Sequence, residues 1–234
     1  MTLPPLAILA GGLATRLRPI TETIPKSLVK VAGEPFLAHQ LRLAKRQGFC
    51  KIILLTGHLG EQIEAFAGNG ARFGLEIAYS HDGSEPRGTG GAVRAAQRYL
   101  DEVTFVTYGD SYLDIAVEPI WSRFCASGSA ALMTVLHNQD QWDPSNVIFD
   151  GTMVRQHDKT ANGQPGVEWI DYGLSVFRTE AITSCDYPDP FDLSLLTKKL
   201  AHEGQLAGHE VSTRFYEIGK PEGLEETAAY LSAK

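Results

Sequence analysis

The residues that follow the first apolar run have the types and spacing of a phosphate-binding loop. Gly11 and Gly12 let the backbone approach a ligand closely and present N–H groups to its oxygens. Arg16, Arg18 and Lys26 come soon after them and supply fixed positive charge. A tight turn with solvated arginines needs the same residues, so the loop alone leaves both interpretations open.

A second glycine-rich turn, Gly88-Thr89-Gly90-Gly91, leads into a predicted helix. A helix N-terminus offers N–H groups to a phosphate or to the edge of a base, although a closely packed helix entry needs the same glycines. Asp110 follows Gly109 at the end of a predicted strand, where a carboxylate beside phosphates is typical of a Mg²⁺ site. The alternative is an aspartate that caps the next turn. Glu217 is a candidate second carboxylate for the same metal.

Several common catalytic motifs are missing from the chain. It contains no GxxxxGK[ST], GxGxxG, GxSxG or HExxH, which argues against a P-loop ATPase, a typical Rossmann dehydrogenase and catalysis by a protein nucleophile. The three cysteines, Cys50, Cys125 and Cys185, are widely separated, and we expect them to be buried small apolar residues. The seven histidines form no cluster and are expected at the surface or the edge of the core.

The composition is that of an ordinary globular protein with an acidic balance. The 234 residues include 21 Lys+Arg and 28 Asp+Glu, a formal net charge of −7, which disfavours a nucleic-acid partner. Residues 1–36 carry a net +2, while the rest of the chain holds 17 basic and 26 acidic residues, a net −9. We find neither a basic leader nor an apolar run of the roughly 18 residues that span a membrane, so we predict a cytoplasmic protein without a membrane partner.

These candidates must be positioned by strands that alternate with helices. The apolar patterns predict strands over 6–9, 51–55, 75–79, 103–108, 130–136, 146–149, 153–156, 167–178 and 206–211. They predict helices over 35–48, 59–66, 89–100, 117–126, 191–202 and 221–231. Asp150-Gly151 indicates a hairpin between two of the strands. The alternation predicts an α/β fold with a mostly parallel Rossmann-like sheet, helices on both faces and a small antiparallel elaboration.

The motifs together resemble the sugar-1-phosphate nucleotidylyltransferase family. The run LAGGLATRLRP at 9–19, followed by Ile24-Pro25-Lys26, is similar to the family's first nucleotide loop. PRGTGGA at 86–92 resembles the second loop, Tyr108-Gly109-Asp110 the metal motif, and FYEIGKPE at 215–222 a late segment of the family. The resemblance implies the nucleotide-diphospho-sugar transferase fold in one domain, 1–234. It also implies a nucleotide-binding half, 1–136, and a sugar-binding half with a closing helix, 137–234.

The resemblance further implies an enzyme that joins a nucleoside triphosphate to a sugar 1-phosphate with Mg²⁺ as cofactor. A sugar-phosphate oxygen would attack the α-phosphate in line and release pyrophosphate, without a protein nucleophile. Catalysis is assigned by resemblance to Arg16, Lys26 and Asp110, and the metal to Asp110 and Glu217. Nucleotide binding is assigned to Leu9, Ala10, Gly11, Gly12, Thr15, Arg16, Lys26, Gly88, Thr89, Tyr108 and Gly109. Sugar binding is assigned to Asp158, Lys159, Asp171, Tyr172 and Gly173.

The chain departs from the family pattern at several positions and leaves the substrates open. Ala14 stands where many members have Gly, Ser27 where Pro is usual, and Glu217 where the second metal ligand is Asp. The chain looks most like heptose-1-phosphate guanylyltransferase-type enzymes, which implies GTP with a heptose- or mannose-type sugar for cell-surface polysaccharide precursors. Alternatives are a uridylyl-, thymidylyl- or cytidylyltransferase acting on muramic acid or hexose phosphates, a choline-phosphate cytidylyltransferase, and a non-catalytic nucleotide-sugar-binding regulatory subunit. A homo-oligomer is also left open.

Overall fold

The computed structural model describes residues 2–83, 85–138 and 140–234. Its strands are β1 (Leu6–Leu9), β2 (Lys30–Val31), β3 (Glu34–Pro35), β4 (Lys51–Thr56), β5 (Glu76–His81), β6 (Val103–Tyr108), β7 (Ser111–Tyr112), β8 (Ala131–His137), β9 (Val147–Phe149), β10 (Val154–His157), β11 (Trp169–Arg178), β12 (Leu206–Val211) and β13 (Tyr216–Glu217). Its α-helices are α1 (Phe36–Arg46), α2 (Gly60–Ala67), α3 (Gly88–Ala95), α4 (Glu118–Ser127), α5 (Thr179–Thr183), α6 (Leu193–His202) and α7 (Pro221–Ser232).

A nine-stranded sheet forms the centre of the fold, in the order β10-β9-β11-β6-β1-β4-β5, with β8 pairing with β11 and β12. The strands β6, β1, β4 and β5 are parallel neighbours. The predicted mostly parallel α/β fold is therefore confirmed. The antiparallel part extends beyond the expected hairpin of β9 and β10, because β11 also runs antiparallel to β6 and β8.

Helices cover both faces of the sheet, as the alternating pattern predicts. On one face, Leu6 and Ile8 of β1 belong to a buried cluster that includes residues of α1, α2 and α4. On the other face, Ala7 belongs to a cluster with residues of α3, α5 and α6. Two layers of helix thus bury the central part of the sheet on both sides, which is why β1 and β4 are nearly continuous apolar runs.

Some predicted helix boundaries are wrong where apolar residues do not recur at a regular helical spacing. The helix expected over 89–100 ends at Ala95 and is followed by a short 3₁₀ helix, Gln97–Tyr99, and the five-residue α5 was not predicted.

The expectation of three buried cysteines is wrong for Cys50 and Cys125, which are exposed, and right for Cys185. Cys50 lies in the turn before β4, and Cys125 lies on the outer side of α4, next to the buried Phe124. No helix in the described part of the chain is long and apolar enough to cross a bilayer.

The carboxyl ends of the parallel strands lie along one edge of the sheet. At this edge the backbone of Gly109, after β6, packs closely against the end of β1. The Gly109 N–H donates to the Leu9 carbonyl at 2.9 Å. A Cβ at this position would lie 2.6 Å from the Leu9 carbonyl oxygen and 3.0 Å from the Ala10 Cα. The chain can turn from β6 into Asp110 at this close approach only because the residue has no side chain.

We therefore expect Gly109→Ala to destabilise the fold by about 2 kcal/mol, because the added methyl group meets backbone atoms that cannot rotate away. Gly12→Ala is the matched control, since no atom lies within 4 Å of a Cβ built there. Its free energy of unfolding should change by less than about 0.5 kcal/mol. Chemical denaturation of the three proteins measures both values, and equal stability of the two variants would contradict this account.

Candidate functional site

A cavity of about 250 Å³ opens at the carboxyl edge of the sheet. Residues from the ends of β1, β4, β5 and β6 meet there, together with the start of α3 and the 3₁₀ helix Lys26–Leu28. The cavity is lined by Leu9, Ala10, Gly11, Gly12, Ala14, Lys26, Ser27, Leu55, Asp82, Pro86, Gly88, Thr89, Ala92, Tyr108, Gly109 and Asp110. The structure thus brings ten of the predicted site residues, among them both glycine loops, Lys26 and Asp110, to one place.

Lys26 and Asp110 form an ion pair at this cavity. The Lys26 Nζ atom lies 2.5 Å from the Asp110 Oδ2 atom, and the two side chains are 17% and 26% exposed. Partial burial strengthens the attraction relative to a surface pair, since less water screens the charges. A cation and an anion are therefore held next to each other in the lining of the cavity.

The turn that carries Asp110 is fixed by residues distant in sequence. The Gln40 side chain on α1 donates to the Tyr108 carbonyl at 3.1 Å and to the Ser111 carbonyl at 2.8 Å. The Ile218 N–H donates to the Asp110 carbonyl at 2.9 Å. Gln40 is a buried polar residue whose role the sequence analysis missed. The apolar spacing of α1 was the only local signal, and it does not show where a polar side chain on that helix points.

Glu217, the predicted second metal ligand, lies on the strand that pairs with the residues next to Asp110. It pairs in β13 with Ser111 of β7, the residue after Asp110. Burial raises the pKa of the Glu217 carboxyl, and the negative charges of Asp110 and Asp143 raise it further. Two neighbouring carboxylates that repel each other provide a favourable place for a cation.

This donor set fits Mg²⁺ better than a metal that needs a complete protein cage. Among the described residues, no group of three or more His, Cys, Asp or Glu side chains is arranged to hold a metal ion. Mg²⁺ is usually held by one or two carboxylates together with substrate phosphates and water. The residues present can supply such a partial site through Asp110 and Glu217, and these ligand assignments remain predictions.

The first glycine loop crosses closely over the end of β4. A Cβ on Gly11 would lie 3.0 Å from the Gly57 backbone nitrogen, so only glycine fits there without a shift. Ala14 has a left-handed backbone with φ of 48°, which explains why glycine would suit this position. Thr15 and Arg16 lie on the exposed 3₁₀ helix Thr15–Leu17 and are not among the described residues that line the cavity. Their roles in binding phosphates remain predictions.

The glycines of the second loop are needed for packing. A Cβ on Gly88 would lie 2.4 Å from the Phe191 carbonyl oxygen, and one on Gly90 would lie 2.1 Å from the Phe191 ring. The N–H groups of Gly90 and Gly91 donate to that same carbonyl at 3.0 and 3.4 Å. These donors at the start of α3 are therefore already used. The structure therefore shows the closely packed helix entry that the sequence analysis gave as an alternative. A role of Gly88 in nucleotide binding remains a prediction.

Thr89 also lines the cavity, but its side chain is engaged. Its Oγ1 atom accepts a hydrogen bond from the Leu193 N–H at 2.8 Å, at the start of α6. The segment before α6 thereby docks on the second glycine loop. The hydroxyl only accepts this bond, so its O–H can still donate to a nucleotide, and a role of Thr89 in nucleotide binding remains a prediction.

The predicted sugar-binding residues lie outside the large cavity. Asp171 and Gly173 line a separate small cavity of about 10 Å³ with Tyr108, which also lines the large one. Lys159 pairs with Asp192 at 2.8 Å, and Asp158 with Lys198 at 2.5 Å. Tyr108 thus connects the two regions, while Lys159 must exchange its partner to reach a sugar phosphate.

Tyr172, another predicted sugar-binding residue, lies in the hydrophobic core. It is 2% exposed, belongs to the core cluster and packs edge-on against Phe215 with 5.9 Å between ring centroids. Burial raises the pKa of its phenol well above the usual value. Its neighbour Asp171 points to the opposite side of β11, because side chains alternate along a strand.

Six residues line the cavity that the sequence analysis assigned to no role in the site: Ala14, Ser27, Leu55, Asp82, Pro86 and Ala92. Asp82 follows β5 directly, just as Asp110 comes soon after β6. The rule that ligands bind beyond the carboxyl ends of parallel strands pointed to both positions. Asp82 was missed because no recognised motif surrounds it.

Ser27 carries a polar atom without a partner at the cavity. The residue is 2% exposed, and its Oγ atom has no hydrogen-bond partner among the described residues. We expect Ser27→Ala to stabilise the nucleotide-free protein by about 1 kcal/mol, because it removes an unpaired buried hydroxyl. Ser145 is the control, since its buried hydroxyl bonds to Asn138 and Asp140. Denaturation should show Ser145→Ala to be destabilising, and a destabilised Ser27→Ala would contradict the prediction.

The fold and the cavity are those of a nucleotide-binding α/β protein, and sequence comparison gives the family. A family model described as Nucleotidyl transferase matches residues 6–146. The chain therefore belongs to the nucleotidyl transferase family, which confirms the resemblance to sugar-1-phosphate nucleotidylyltransferases. The matched region contains both glycine loops, Lys26 and Asp110.

Individual relatives agree with this assignment. The UTP–glucose-1-phosphate uridylyltransferase of Synechocystis sp. is 28% identical over 80% of this chain and 52% of its own length. The N-acetylmuramate alpha-1-phosphate uridylyltransferase of Neisseria meningitidis serogroup B is 28% identical over 97% of each chain. The solved structure of HddC from Yersinia pseudotuberculosis complexed with GMP-PN has a TM-score of 0.81 at 25% identity, covering 98% of this chain and 100% of that one.

The relatives differ in length and in the bases and sugars in their names. The chain spans 52%, 63% and 61% of the lengths of the first three curated relatives, so their activities carry over only as proposals. Their names include uridylyl- and guanylyltransferases. The comparisons therefore establish the family and leave the substrates undecided.

Proposed function

We propose that this protein is an enzyme that transfers a nucleotidyl group from a nucleoside triphosphate to a sugar 1-phosphate. The observation that carries the proposal is the Lys26–Asp110 pair, 2.5 Å apart, at a cavity lined by a glycine loop. A partly buried cation suits a phosphate undergoing transfer, and a carboxylate beside it suits the metal ion that accompanies a triphosphate. A protein that only binds nucleotide-sugars has less need of both charges at one point.

In the proposed reaction a sugar-phosphate oxygen attacks the α-phosphorus of the triphosphate. The new bond joins this oxygen to the α-phosphorus, and the bond to the α,β-bridging oxygen breaks, so that pyrophosphate leaves with the electron pair. The backbone N–H groups of Gly11 and Gly12 would hold phosphate oxygens, and Lys26 would bridge the α-phosphate and the sugar phosphate. Arg16 would close from its exposed position onto the β- and γ-phosphates. These contacts position two anions that repel each other in water.

Asp110 and Glu217 would hold the Mg²⁺ ion. When bound, such an ion neutralises phosphate charge and polarises a phosphoryl oxygen. Asp110 also forms the ion pair with Lys26. Lys26 is therefore kept at the cavity by a partner that binding of substrates would replace, and the side chain needs no large movement to reach the α-phosphate.

The sugar would lie on the side of Tyr108 that faces Asp171 and Gly173. Asp158, Lys159 and Tyr172 are proposed for the same region through the resemblance alone. For the substrates, the resemblance favours GTP with a heptose- or mannose-type sugar phosphate over the uridylyl, thymidylyl and cytidylyl alternatives. The two-part organisation at residue 136, the cytoplasmic location and a homo-oligomer remain predictions.

A pyrophosphate-release screen tests the proposed function. The full chain is incubated with Mg²⁺, each of GTP, UTP, dTTP, CTP and ATP, and a panel of hexose, heptose and muramic acid 1-phosphates, with phosphocholine as an additional acceptor. We expect pyrophosphate only when triphosphate and sugar phosphate are both present. Absence of release with every pair would overturn the proposal and favour a non-catalytic binding protein. Release with phosphocholine alone would overturn the assignment of a sugar substrate.

A further inference from the structure

His157, the last residue of β10, carries a polar atom without a partner in the interior of the protein. The residue is 2% exposed, and its Nε2 atom has no hydrogen-bond partner among the described residues. Such atoms are rare in native proteins, because an unpaired buried polar group costs free energy of folding. This histidine has no role in the site described above, so the cost calls for a ligand that pairs with Nε2.

The other nitrogen of the His157 ring fixes its orientation. The Nδ1 atom lies 2.6 Å from the Thr197 Oγ1 atom on α6. The Thr197 hydroxyl in turn donates to the Ser194 carbonyl at 3.1 Å, in the same helix. Because a hydroxyl has a single hydrogen, this pattern assigns the Nδ1–H as the donor to Thr197 and leaves Nε2 as an acceptor. Burial lowers the pKa of His157, which keeps the ring neutral at pH 7.

His157 lines the small cavity of about 10 Å³ that Tyr108, Asp171 and Gly173 also line. Tyr108 lines the nucleotide cavity too, so the two spaces adjoin at this residue. Since Nδ1 is used by Thr197, Nε2 is the polar atom of His157 that can serve the small cavity. The volume admits one group of the size of a water molecule or a hydroxyl, and it is far too small for a sugar ring. A ligand can therefore place a single substituent there while its ring stays outside.

The acidic side chains around His157 already have partners. The negative charges of Asp171, Asp192 and Asp158 oppose the lowering of its pKa by burial. Asp158 and Asp192 form ion pairs with lysines, and the Asp171 carboxylate accepts a hydrogen bond from the Gly173 N–H at 3.0 Å. In the described part of the chain none of them bonds to Nε2, which remains open to a neutral hydrogen-bond donor.

A hydroxyl group meets these requirements. It has the size that the cavity admits, it is neutral, and it donates one hydrogen bond to a bare nitrogen. A sugar 1-phosphate presents several hydroxyl groups around its ring. A phosphate oxygen, in contrast, is charged and only accepts hydrogen bonds, so it suits neither Nε2 nor the carboxylates around the cavity.

We propose that the Nε2 atom of His157 accepts a hydrogen bond from one hydroxyl group of the sugar and makes this protein selective for sugar 1-phosphates that carry this hydroxyl. The inference rests on the proposed function, because it assumes that the sugar phosphate binds beside Tyr108. His157 is a specificity-determining residue in this account and takes no part in the transfer step. Thr197 is the positioning residue that holds its ring.

Monodeoxy sugar phosphates measure this selectivity. The full chain is assayed with Mg²⁺, a saturating triphosphate, the sugar 1-phosphate that gives the highest rate in the pyrophosphate screen, and the analogues that each lack one of its hydroxyl groups. We expect the loss of one particular hydroxyl to lower kcat/KM of the wild-type protein about 30-fold, because it removes the bond to Nε2.

Two substitutions of His157 connect this loss to Nε2. Asparagine can keep the bond to Thr197 through its amide nitrogen but has no atom at the position of Nε2, so His157→Asn should lose less than about 3-fold with the same analogue. Glutamine places a polar group near the position of Nε2, and His157→Gln should restore a loss of about 5-fold or more. Thr197→Val frees the ring from its partner and should reduce the wild-type discrimination about 5-fold.

The controls separate recognition of the hydroxyl from folding and from the proposed function. His137→Asn changes an exposed histidine that pairs with Glu168, and its losses should equal those of wild type. Thermal melting and the KM for the triphosphate should be unchanged in His157→Asn. If that variant does not fold, the wild-type panel and Thr197→Val still decide the matter.

Three results would overturn the inference and assign the cavity to a bound water: equal losses in wild type and His157→Asn, no wild-type loss above about 3-fold, or full discrimination in Thr197→Val. A protein that releases pyrophosphate without this coupling retains the proposed function. One that releases none with any sugar phosphate loses both.

Discussion

Replacing Lys26 with alanine should lower kcat by about 1,000-fold while the dissociation constant of the triphosphate changes by only a few-fold. The Lys26 side chain is 17% exposed, and its charge lies beside Asp110 at the cavity. In the proposed reaction this charge stabilises the α-phosphate as the sugar phosphate approaches, where repulsion between the two anions is greatest. The triphosphate keeps its contacts with the glycine loop, so binding depends less on Lys26 than turnover does.

Steady-state pyrophosphate release and calorimetric binding of the triphosphate test this prediction together. Lys51→Ala is the matched control, since Lys51 pairs with Asp101 at the opposite end of the sheet and should leave both quantities unchanged. Lys26→Arg keeps the positive charge and should retain more activity than Lys26→Ala. This difference would show that the loss in Lys26→Ala is caused by the missing charge and not by loss of folding. If Lys26→Ala weakened binding of the triphosphate without any loss in kcat at saturation, Lys26 would serve affinity alone, and its proposed role in the transfer step would be contradicted.

Replacing Asp110 with asparagine should reduce turnover by about 1,000-fold and raise the Mg²⁺ concentration needed for half-maximal rate. The amide keeps the size of the side chain and can still bond to Lys26, but it removes the charge that would hold the metal. Glu217→Gln should shift the Mg²⁺ dependence in the same direction by a smaller amount, because Glu217 is the second carboxylate of the site. Chelation of divalent ions should abolish turnover of the wild-type protein reversibly.

Rate measurements over a range of Mg²⁺ concentrations provide the test for both carboxylates. Asp114→Asn is a suitable control, because Asp114 bonds to Tyr230 and Lys234 and not to the cavity. Its Mg²⁺ dependence should equal that of wild type. An unchanged Mg²⁺ midpoint in Asp110→Asn would show that the metal, if required, is held elsewhere, and would contradict the proposed ligand set.

The parts of the fold that could be predicted from sequence depend on short-range patterns. The strands β1 and β6 have the predicted bounds, because a strand buried on both faces reads as a mainly apolar run that ends in turn residues. The bounds of β12 are also as predicted. Lys26 and Asp110 could be predicted as partners in one site for a related reason. The carboxyl ends of parallel strands meet at one edge, and the loops that follow them carry the polar residues.

The parts that could not be predicted depend on contacts between distant segments. The docking of Phe191 on Gly88 and Gly90 joins residues about a hundred positions apart, so a local pattern cannot separate packing glycines from binding glycines. The same holds for Gln40, which supports the turn at Asp110 from another helix. Lys159 was predicted to face a sugar phosphate, and no local pattern shows its ion pair with Asp192 at the start of α6. Such partner choices are decided by tertiary structure.

The most direct test of the central claim follows an isotope through the transfer. The full chain is incubated with Mg²⁺, GTP and a heptose or mannose 1-phosphate that carries ¹⁸O in its phosphate group, and the products are measured by mass spectrometry. We predict one pyrophosphate for each nucleotide-sugar, with all of the sugar-phosphate ¹⁸O retained in the nucleotide-sugar and none in pyrophosphate. Replacing GTP by UTP or dTTP, or the sugar by a hexose or muramic acid phosphate, extends the test to the alternative substrates. Failure to form a nucleotide-sugar with any pair, or ¹⁸O in pyrophosphate, would contradict the account.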